Sequence, residues 1–261
     1  NNYFCSTTSQ LAYALPCQTF YSDIFQIIDA GPSVRRSMLD WGLFHVKREY
    51  LFILKEYKKV LQQRNALLKK HAPYSHFIPW DKQLSDFADQ LHQLRENYFQ
   101  RWQNEFIKVL NELTDLDCKL IYLKGWDRKN TGKNLEQILV ENFNSDQQKF
   151  YTQYGAHQAD ILIETDRYKA KHVLSRGQQK IILFAMKMAQ SHFLDNECLY
   201  LIDDLSSELD EENQRKIIIY LSKQKGQFFI TTTSQLNYVN AYISTEHYLR
   251  YHIDEGILKP A

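Results

Sequence analysis

The sequence predicts an α/β fold in which helices flank a buried, largely parallel sheet, with two long helices in the first half of the chain. In the second half, short apolar segments alternate with longer segments in which apolar residues recur every three or four positions. The 261 residues include only 8 glycines and 5 prolines, which indicates long elements and few tight turns.

The composition excludes several other classes of protein. With 44% hydrophobic and 14% aromatic residues, the chain is not expected to be disordered, and its formal net charge of +1 indicates no single class of partner. No apolar run approaches the roughly 18 to 20 residues of a membrane-spanning helix, so no membrane partner is expected. The cysteines are scattered and form no C-x-x-C pair, which favours a protein of the reducing cytoplasm.

The first half of the chain is predicted to be mostly helical. A short strand is expected at Cys17–Phe20, and one long helix is expected over residues 35–70, after the break at Gly31. Asp81 is expected to cap a second helix, whose apolar pattern continues to Leu110. At ~1.5 Å per residue, the two helices could form an antiparallel hairpin of roughly 45 Å. This hairpin either packs a core and does nothing more, or serves as an arm with a basic face.

The polar side of the first long helix is rich in cations. Lys55, Lys58, Lys59 and Arg64 lie on that side and are candidates for sequence-independent contacts with DNA phosphates. The alternative is a face that only keeps the protein soluble.

In the second half, strands and helices alternate as in a layered domain. Strands are expected over residues 119–123, 159–164, 199–202 and 227–231, and helices over residues 134–150, 177–192 and 211–223. Asp203 and Asp204 end the apolar strand 199–202, at the edge of the sheet where α/β proteins bind ligands. Adjacent carboxylates repel each other unless a cation such as Mg²⁺ or a shared proton relieves them. One acid could then hold magnesium while the other activates a water; a solvated turn is the alternative.

A second polar segment opens the helix predicted after residue 176. Ser175 and Gly177 stand where free backbone amides and the positive end of a helix dipole can bind an anion. Ser175 would donate its hydroxyl, and Gly177 would allow a close approach of the backbone. The alternative is that Ser175 only caps the helix.

Together these motifs resemble those of the ABC-type ATPases and, more closely, those of the RecF family of bacterial DNA replication and repair ATPases. The signature sequence, the Walker B strand and the D-loop are matched by residues 174–180, 199–204 and 207–210, and further blocks by residues 31–32, 35–36, 39–46 and 63–68. The resemblance implies an ABC-type head of the SMC kind with an inserted helical lid lobe that contains the hairpin. Residues 1–40 and 156–261 would belong to the head, and residues 41–155 to the lobe.

The resemblance also implies a role for each site residue, because such heads dimerise around ATP. Asp203 would support Mg²⁺, and Asp204 would be the catalytic carboxylate. The remaining residues would contact the partner's nucleotide, the dimer seam or phosphate; they are Ser175, Arg176, Gly177, Gln178, Ser207, Asp210 and Thr232. Each of the threonines at 231–233 fits the sensor position, and a strand-end turn is the alternative for this run.

The function implied by the resemblance is ATP-dependent DNA binding in recombinational repair and the SOS response. RecF-like proteins act with RecR and RecO at single-strand gaps, on duplex DNA and at junctions of duplex with single strands, and help RecA to load; they form an ATP-dependent homodimer with slow hydrolysis. The P-loop pattern G-x-x-x-x-G-K-[ST] does not occur in these 261 residues. The chain is therefore interpreted as a fragment that is inactive alone. The alternative is a non-catalytic module that binds a protein or DNA without nucleotide.

Overall fold

The computed structural model describes residues 7–165, 168–233 and 239–260 of the chain. The helices in these ranges are α1 (Thr8–Ala14), α2 (Gln26–Asp29), α3 (Pro32–Val46), α4 (Arg48–Lys69), α5 (Ile78–Leu113), α6 (Leu135–Glu141), α7 (Phe143–Lys149), α8 (Ala170–Val173), α9 (Arg176–Ser191) and α10 (Glu211–Ser222). The strands are β1 (Cys17–Phe20), β2 (Lys119–Leu123), β3 (Asp160–Thr165), β4 (Tyr168–Lys169), β5 (Leu199–Ile202), β6 (Gln227–Ile230), β7 (Tyr251–Asp254) and β8 (Ile257–Pro260). None of the described helices has the length and apolar character needed to cross a membrane.

A parallel sheet carries the site predicted from the sequence. Its strands are ordered β1-β5-β6 in the described part of the chain, and Phe20, Ile202 and Ile230 are aligned across it. The helix α9 covers one face, where the rings of Phe20 and Phe184 lie 5.0 Å apart. Because the three strands run in the same direction, the residues that follow β5 and β6 meet at one edge. The parallel arrangement predicted for these strands is confirmed.

The parallel arrangement predicted for the other two strands is wrong. β2 pairs antiparallel with β3, and β3 pairs antiparallel with β4 in a separate sheet. A parallel pair would need the intervening chain to cross over the sheet as a helix. The helix expected over residues 134–150 is instead two seven-residue helices, α6 and α7. α6 packs on α5, and Ser85 on α5 accepts a hydrogen bond from the Glu136 amide.

The predicted helical hairpin is present and antiparallel. Arg64, near the end of α4, pairs with Asp81 near the start of α5, whereas Tyr50, near the start of α4, contacts Arg95 farther along α5. α5 extends well beyond α4, and its fully buried Trp102 donates a hydrogen bond to a carbonyl of α9. α5 therefore links the hairpin to α9, the helix that covers the parallel sheet.

Two sequence-based helix boundaries need correction. The helix expected over residues 35–70 is interrupted at Lys47, whose extended backbone separates α3 from α4. Asp81 does not cap α5, which begins at Ile78; its carboxylate is buried against Arg64. The domain boundary predicted after residue 40 falls inside α3, and the division of the chain into head and lobe stays a prediction.

Candidate functional site

The two predicted acids lie at the carboxyl edge of the parallel sheet, next to a threonine. The Asp203 amide donates to the Phe20 carbonyl of β1 at 2.7 Å, which aligns the end of β5 with the sheet. Thr231 follows β6, and its Oγ1 donates to Asp203 Oδ1 at 2.7 Å while it accepts from the Asp204 amide at 2.8 Å. One hydroxyl therefore orients both acidic residues. The roles of Thr231 and of the predicted Thr232 in catalysis stay predictions.

The backbone turns sharply at Asp204. Its φ of 46° lies in the left-handed region, which aspartate adopts more readily than most other residues. In this turn the Asp204 carboxylate accepts a hydrogen bond from Ser206 Oγ at 3.0 Å, and Ser206 Oγ lies 3.3 Å from Thr233 Oγ1. Backbone conformations of this kind are enriched where side chains must be aimed at a ligand. The strand end thus presents the Asp204 carboxylate in a defined position.

Lys180 connects the start of α9 to the turn after β5. Its Nζ donates to the carbonyls of Asp204 at 2.8 Å, Leu205 at 3.3 Å and Ser207 at 2.8 Å, and it lies 3.4 Å from Ser207 Oγ. Burial lowers the pKa of Lys180, and the nearby carboxylates of Asp204, Glu208 and Asp203 oppose that shift. The ammonium group thus holds three backbone carbonyls of residues 204–207 and fixes the shape of this segment.

Gly177 allows α9 to approach the same segment closely. A Cβ atom at this position would lie 2.6 Å from the carbonyl oxygen of Glu208, a distance that real Cβ atoms essentially never show. Glu208 itself has a left-handed φ of 61°. The residues that resemble a signature sequence and a D-loop are therefore in direct contact.

The start of α9 is a capping box. Ser175 Oγ accepts from the Gln178 amide at 3.3 Å, and the Gln178 side chain accepts from the Ser175 amide at 2.9 Å. This confirms the capping interpretation of Ser175, whereas its contact with an anion stays a prediction. Ser175 is exposed, so the end of the helix is accessible to a ligand or a second chain.

Arg176 and Asp210 each make a local contact. Arg176 forms a 2.7 Å ion pair with Asp29 and lies over the ring of Phe25 at 4.8 Å. The side chain of Asp210 accepts from the Asn213 amide at 2.8 Å and caps α10. Both side chains are positioned by neighbouring elements, and their roles toward nucleotide stay predictions.

The oxygen atoms at this edge of the sheet fit a magnesium ion that is held by one carboxylate and completed by phosphates and waters. In the described ranges, no group of three or more His, Cys, Asp and Glu side chains could hold a metal ion. A zinc site is usually built from three or four protein side chains. Mg²⁺ needs fewer, because it is commonly held by one or two carboxylates together with phosphates and waters. The exposed Asp203, oriented by Thr231, is suited to be such a carboxylate.

Three of the four residues of the predicted basic face are exposed, and their contact with DNA stays a prediction. Lys55, Lys58 and Lys59 are exposed on α4. The prediction for Arg64 is wrong: its side chain is fully buried and bonds to Asp81 and Asp146, each at 2.7 Å. Both carboxylates are buried as well, so this cation stabilises the packing of α4 on α5 and α7 and is not available to DNA.

The topology and the contact between α9 and the turn after β5 define this chain as part of an ABC-type ATPase head. The RecF/RecN/SMC N terminal domain matches residues 6–252. The chain belongs to the RecF family. It is 36% identical over 246 residues to the DNA replication and repair proteins RecF of Francisella tularensis subsp. tularensis (strain WY96-3418) and subsp. novicida (strain U112). Each of these alignments covers 92% of this chain and 69% of the relative.

Solved structures share the fold. The recombination mediator protein RecF of the RecFOR pathway, with ATP, has a TM-score of 0.80 at 24% identity over 100% of this chain and 71% of that protein. The head domain of Smc from Pyrococcus furiosus has a TM-score of 0.50 at 13% identity, covering 93% of this chain and 61% of that one. The likeness to both places the chain in the fold class predicted from its sequence.

Proposed function

We propose that this chain is the signature- and Walker B-bearing part of a RecF-type ATPase that couples ATP to DNA binding in recombinational repair. The observation that carries the proposal is a contact: the start of α9, which resembles the signature sequence, packs on the segment after β5 that holds the acids and resembles the D-loop. Lys180 holds three carbonyls of residues 204–207, and Gly177 lets α9 contact Glu208. A solvated turn or a simple helix cap would need neither contact.

In this proposal the acids divide the chemistry between them. Bound Mg²⁺ would neutralise charge on the ATP phosphates, and Asp203 would hold it through its carboxylate. Asp204 would orient the attacking water and accept its proton, because Ser206 fixes the Asp204 carboxylate in place. Thr231 would hold both acids in position, because its hydroxyl bonds to the Asp203 carboxylate and to the Asp204 amide. A P-loop elsewhere in the complete protein would hold the phosphates.

The start of α9 would act on the nucleotide of a second copy of the protein. Ser175 is exposed at the positive end of a 16-residue helix, where backbone amides and the helix dipole favour an anion. Ser207 and Asp210 would lie at the seam of this ATP-dependent homodimer. Gln178 would support Ser175 through the capping box, and Arg176 would exchange its bond with Asp29 for one to the nucleotide or the partner.

DNA would be bound through the exposed lysines of α4. Lys55, Lys58 and Lys59 present positive charge without base specificity, as phosphate contacts require. The expected substrates are duplex DNA and junctions at single-strand gaps, and the expected partners are RecR, RecO and the RecA that they load. This assignment follows the family, whose relative in the RecFOR pathway has the same fold.

The decisive test uses the complete protein with substitutions at the two halves of the site. Asp204→Asn should bind ATP normally but lose most hydrolysis, because the neutral amide cannot accept the proton of water. Ser175→Arg should bind ATP as a monomer but fail to dimerise with it. Ser33→Arg, at an exposed serine near the start of α3, is the matched control and should dimerise normally.

Equilibrium ATP binding, turnover and sedimentation would be measured on the same preparations. Normal dimerisation of Ser175→Arg would show that α9 does not act on a partner's nucleotide. Unchanged turnover of Asp204→Asn would remove Asp204 from catalysis. Failure of the unsubstituted complete protein to bind ATP would favour the non-catalytic interaction module.

A further inference from the structure

A cleft of about 670 Å³ opens between α1, the junction of α3 with α4, and the segment that follows α9. Its walls include Tyr13, His45, Arg48, Phe52 and Lys55, facing Leu194, Asp195 and Asn196. The volume is within the range of about 300 to 1,000 Å³ that is usual for sites of small ligands. The cleft shares no residue with the acidic site at the edge of the sheet.

Positive charge lines this cleft and continues beyond it. Arg48 and Lys55 are exposed, and in the described part of the chain neither takes part in an ion pair, whereas Asp195 is the acid among the lining residues. Residues 48, 52, 55 and 59 follow the spacing of one helix face. These four residues form a row along roughly 16 Å of α4, at ~1.5 Å per residue. The cations of the row are Arg48, Lys55 and Lys59. A row of this length suits a polyanion.

An aromatic ring lies within the row of cations. Phe52 is 65% exposed, and it stands one turn from Arg48 and one turn from Lys55. Tyr13, which also lines the cleft, is stacked on Phe44 with ring centroids 4.1 Å apart and meets His45 edge-on. Exposed aromatic rings between cations are the arrangement with which proteins bind unpaired bases and the flanking phosphates.

We propose that this cleft binds one unpaired nucleotide of single-stranded DNA. The base would stack on Phe52, while Arg48, Lys55 and Lys59 contact the adjacent phosphates. Base pairs within a duplex stay stacked and cannot enter the cleft, so a duplex gains only the phosphate contacts. The proposal rests on the DNA binding proposed above and adds a preference for single strands, the feature that distinguishes a gap from intact duplex.

The test compares two probes on the complete protein with ATP: a fluorescein-labelled oligothymidylate and a blunt duplex of the same length. Phe52→Ala should weaken binding of the single strand about 5- to 150-fold, the loss of one base stack, and leave duplex binding unchanged. Tyr151→Ala is the matched control, because Tyr151 is also exposed, at 48%, but lies outside the cleft. It should leave both affinities unchanged.

Paired charge variants separate this proposal from the DNA binding on which it rests. Lys58→Glu with Lys59→Glu should weaken both probes and reduce the dependence of affinity on salt. If these variants do so but Phe52→Ala has no effect, or weakens both probes equally, the base site is overturned and DNA binding by α4 stands. If neither set changes either affinity, DNA binding by α4 is wrong as well.

Discussion

Replacing Gly177 by alanine tests the contact between α9 and the turn after β5. The new Cβ atom would lie 2.6 Å from the Glu208 carbonyl oxygen, so the two elements must separate by roughly 0.8 Å to reach an ordinary contact of 3.4 Å. The obstacle is backbone, and Lys180 holds the adjoining carbonyls. Overpacking of this kind costs about 1–3 kcal/mol of unfolding free energy. For a chain of this size, the expected fall in Tm is roughly 2–12 °C.

Gly31→Ala is the matched control for this substitution. Gly31 has a φ of −71°, and a Cβ atom there would have no heavy atom within 4 Å. Its variant should lose at most about 1 kcal/mol, because Gly31 is the N-cap of α3 and alanine is a poorer N-cap than glycine. Thermal and urea unfolding of both variants would be measured side by side. A Tm for Gly177→Ala that is no lower than the Tm of Gly31→Ala would refute the reasoning, since it would mean that the segment yields to the methyl group at little cost.

The same substitution should also affect the proposed ATPase. A shift of about 1 Å near reacting groups commonly costs on the order of 100-fold in rate. Gly177→Ala in the complete protein should therefore lose hydrolysis to about this extent while Gly31→Ala retains it. Full turnover by Gly177→Ala, despite a lowered Tm, would separate the packing contact from catalysis.

Two further predictions concern the helical hairpin. Arg64→Met should lower the free energy of unfolding by about 3–5 kcal/mol, because it leaves the carboxylates of Asp81 and Asp146 buried without their cation. In urea titrations the exposed Lys58→Met should change it by less than about 0.5 kcal/mol, and a similarly small loss for Arg64→Met would contradict the role of the buried ion pairs. His157 follows α7 in the chain, and its Nδ1 lies 2.7 Å from the hydroxyl of Tyr57 on α4. Burial lowers the pKa of His157 to about 4. Since the unfolded chain takes up this proton near pH 6.5, the contribution of His157 to stability should fall by up to about 3 kcal/mol as the pH decreases from about 6.5 to 4, and this contribution should not change further below about pH 4. His157→Gln should flatten this part of the pH profile of Tm, and an unchanged slope would show that another group is responsible.

The sequence patterns were most reliable where the structure depends on neighbouring residues. The strands Cys17–Phe20, Lys119–Leu123 and Leu199–Ile202 have the predicted limits, and the polar motifs lie at the predicted ends of β5 and α9. In each case a short apolar run or a capping pattern determines the element locally. Those signals remain readable in a single sequence because no distant residue is needed to interpret them.

Errors arose where distant residues decide the outcome. Arg64 has the spacing of an exposed cation, but its partners Asp81 and Asp146 lie 17 and 82 residues away, and periodicity cannot reveal such pairing. The capping role expected for Asp81 failed for the same reason. Thr231 was one of three equivalent candidates in sequence, and only the alignment of β6 with β5 places its hydroxyl on Asp203.

The three carbonyls bound by Lys180 have a consequence for how two copies of the protein would communicate. The ammonium group fastens the helix start that would face the partner's nucleotide to the turn that carries the chain's own Asp204. In the proposed homodimer, each ATP would lie between the two copies. Each copy would thus contact one ATP through the turn after β5 and the other through the start of α9, and Lys180 joins these two parts rigidly. A shift caused by ATP at one site would therefore reach the other site through a single subunit. The two sites would bind ATP cooperatively instead of independently.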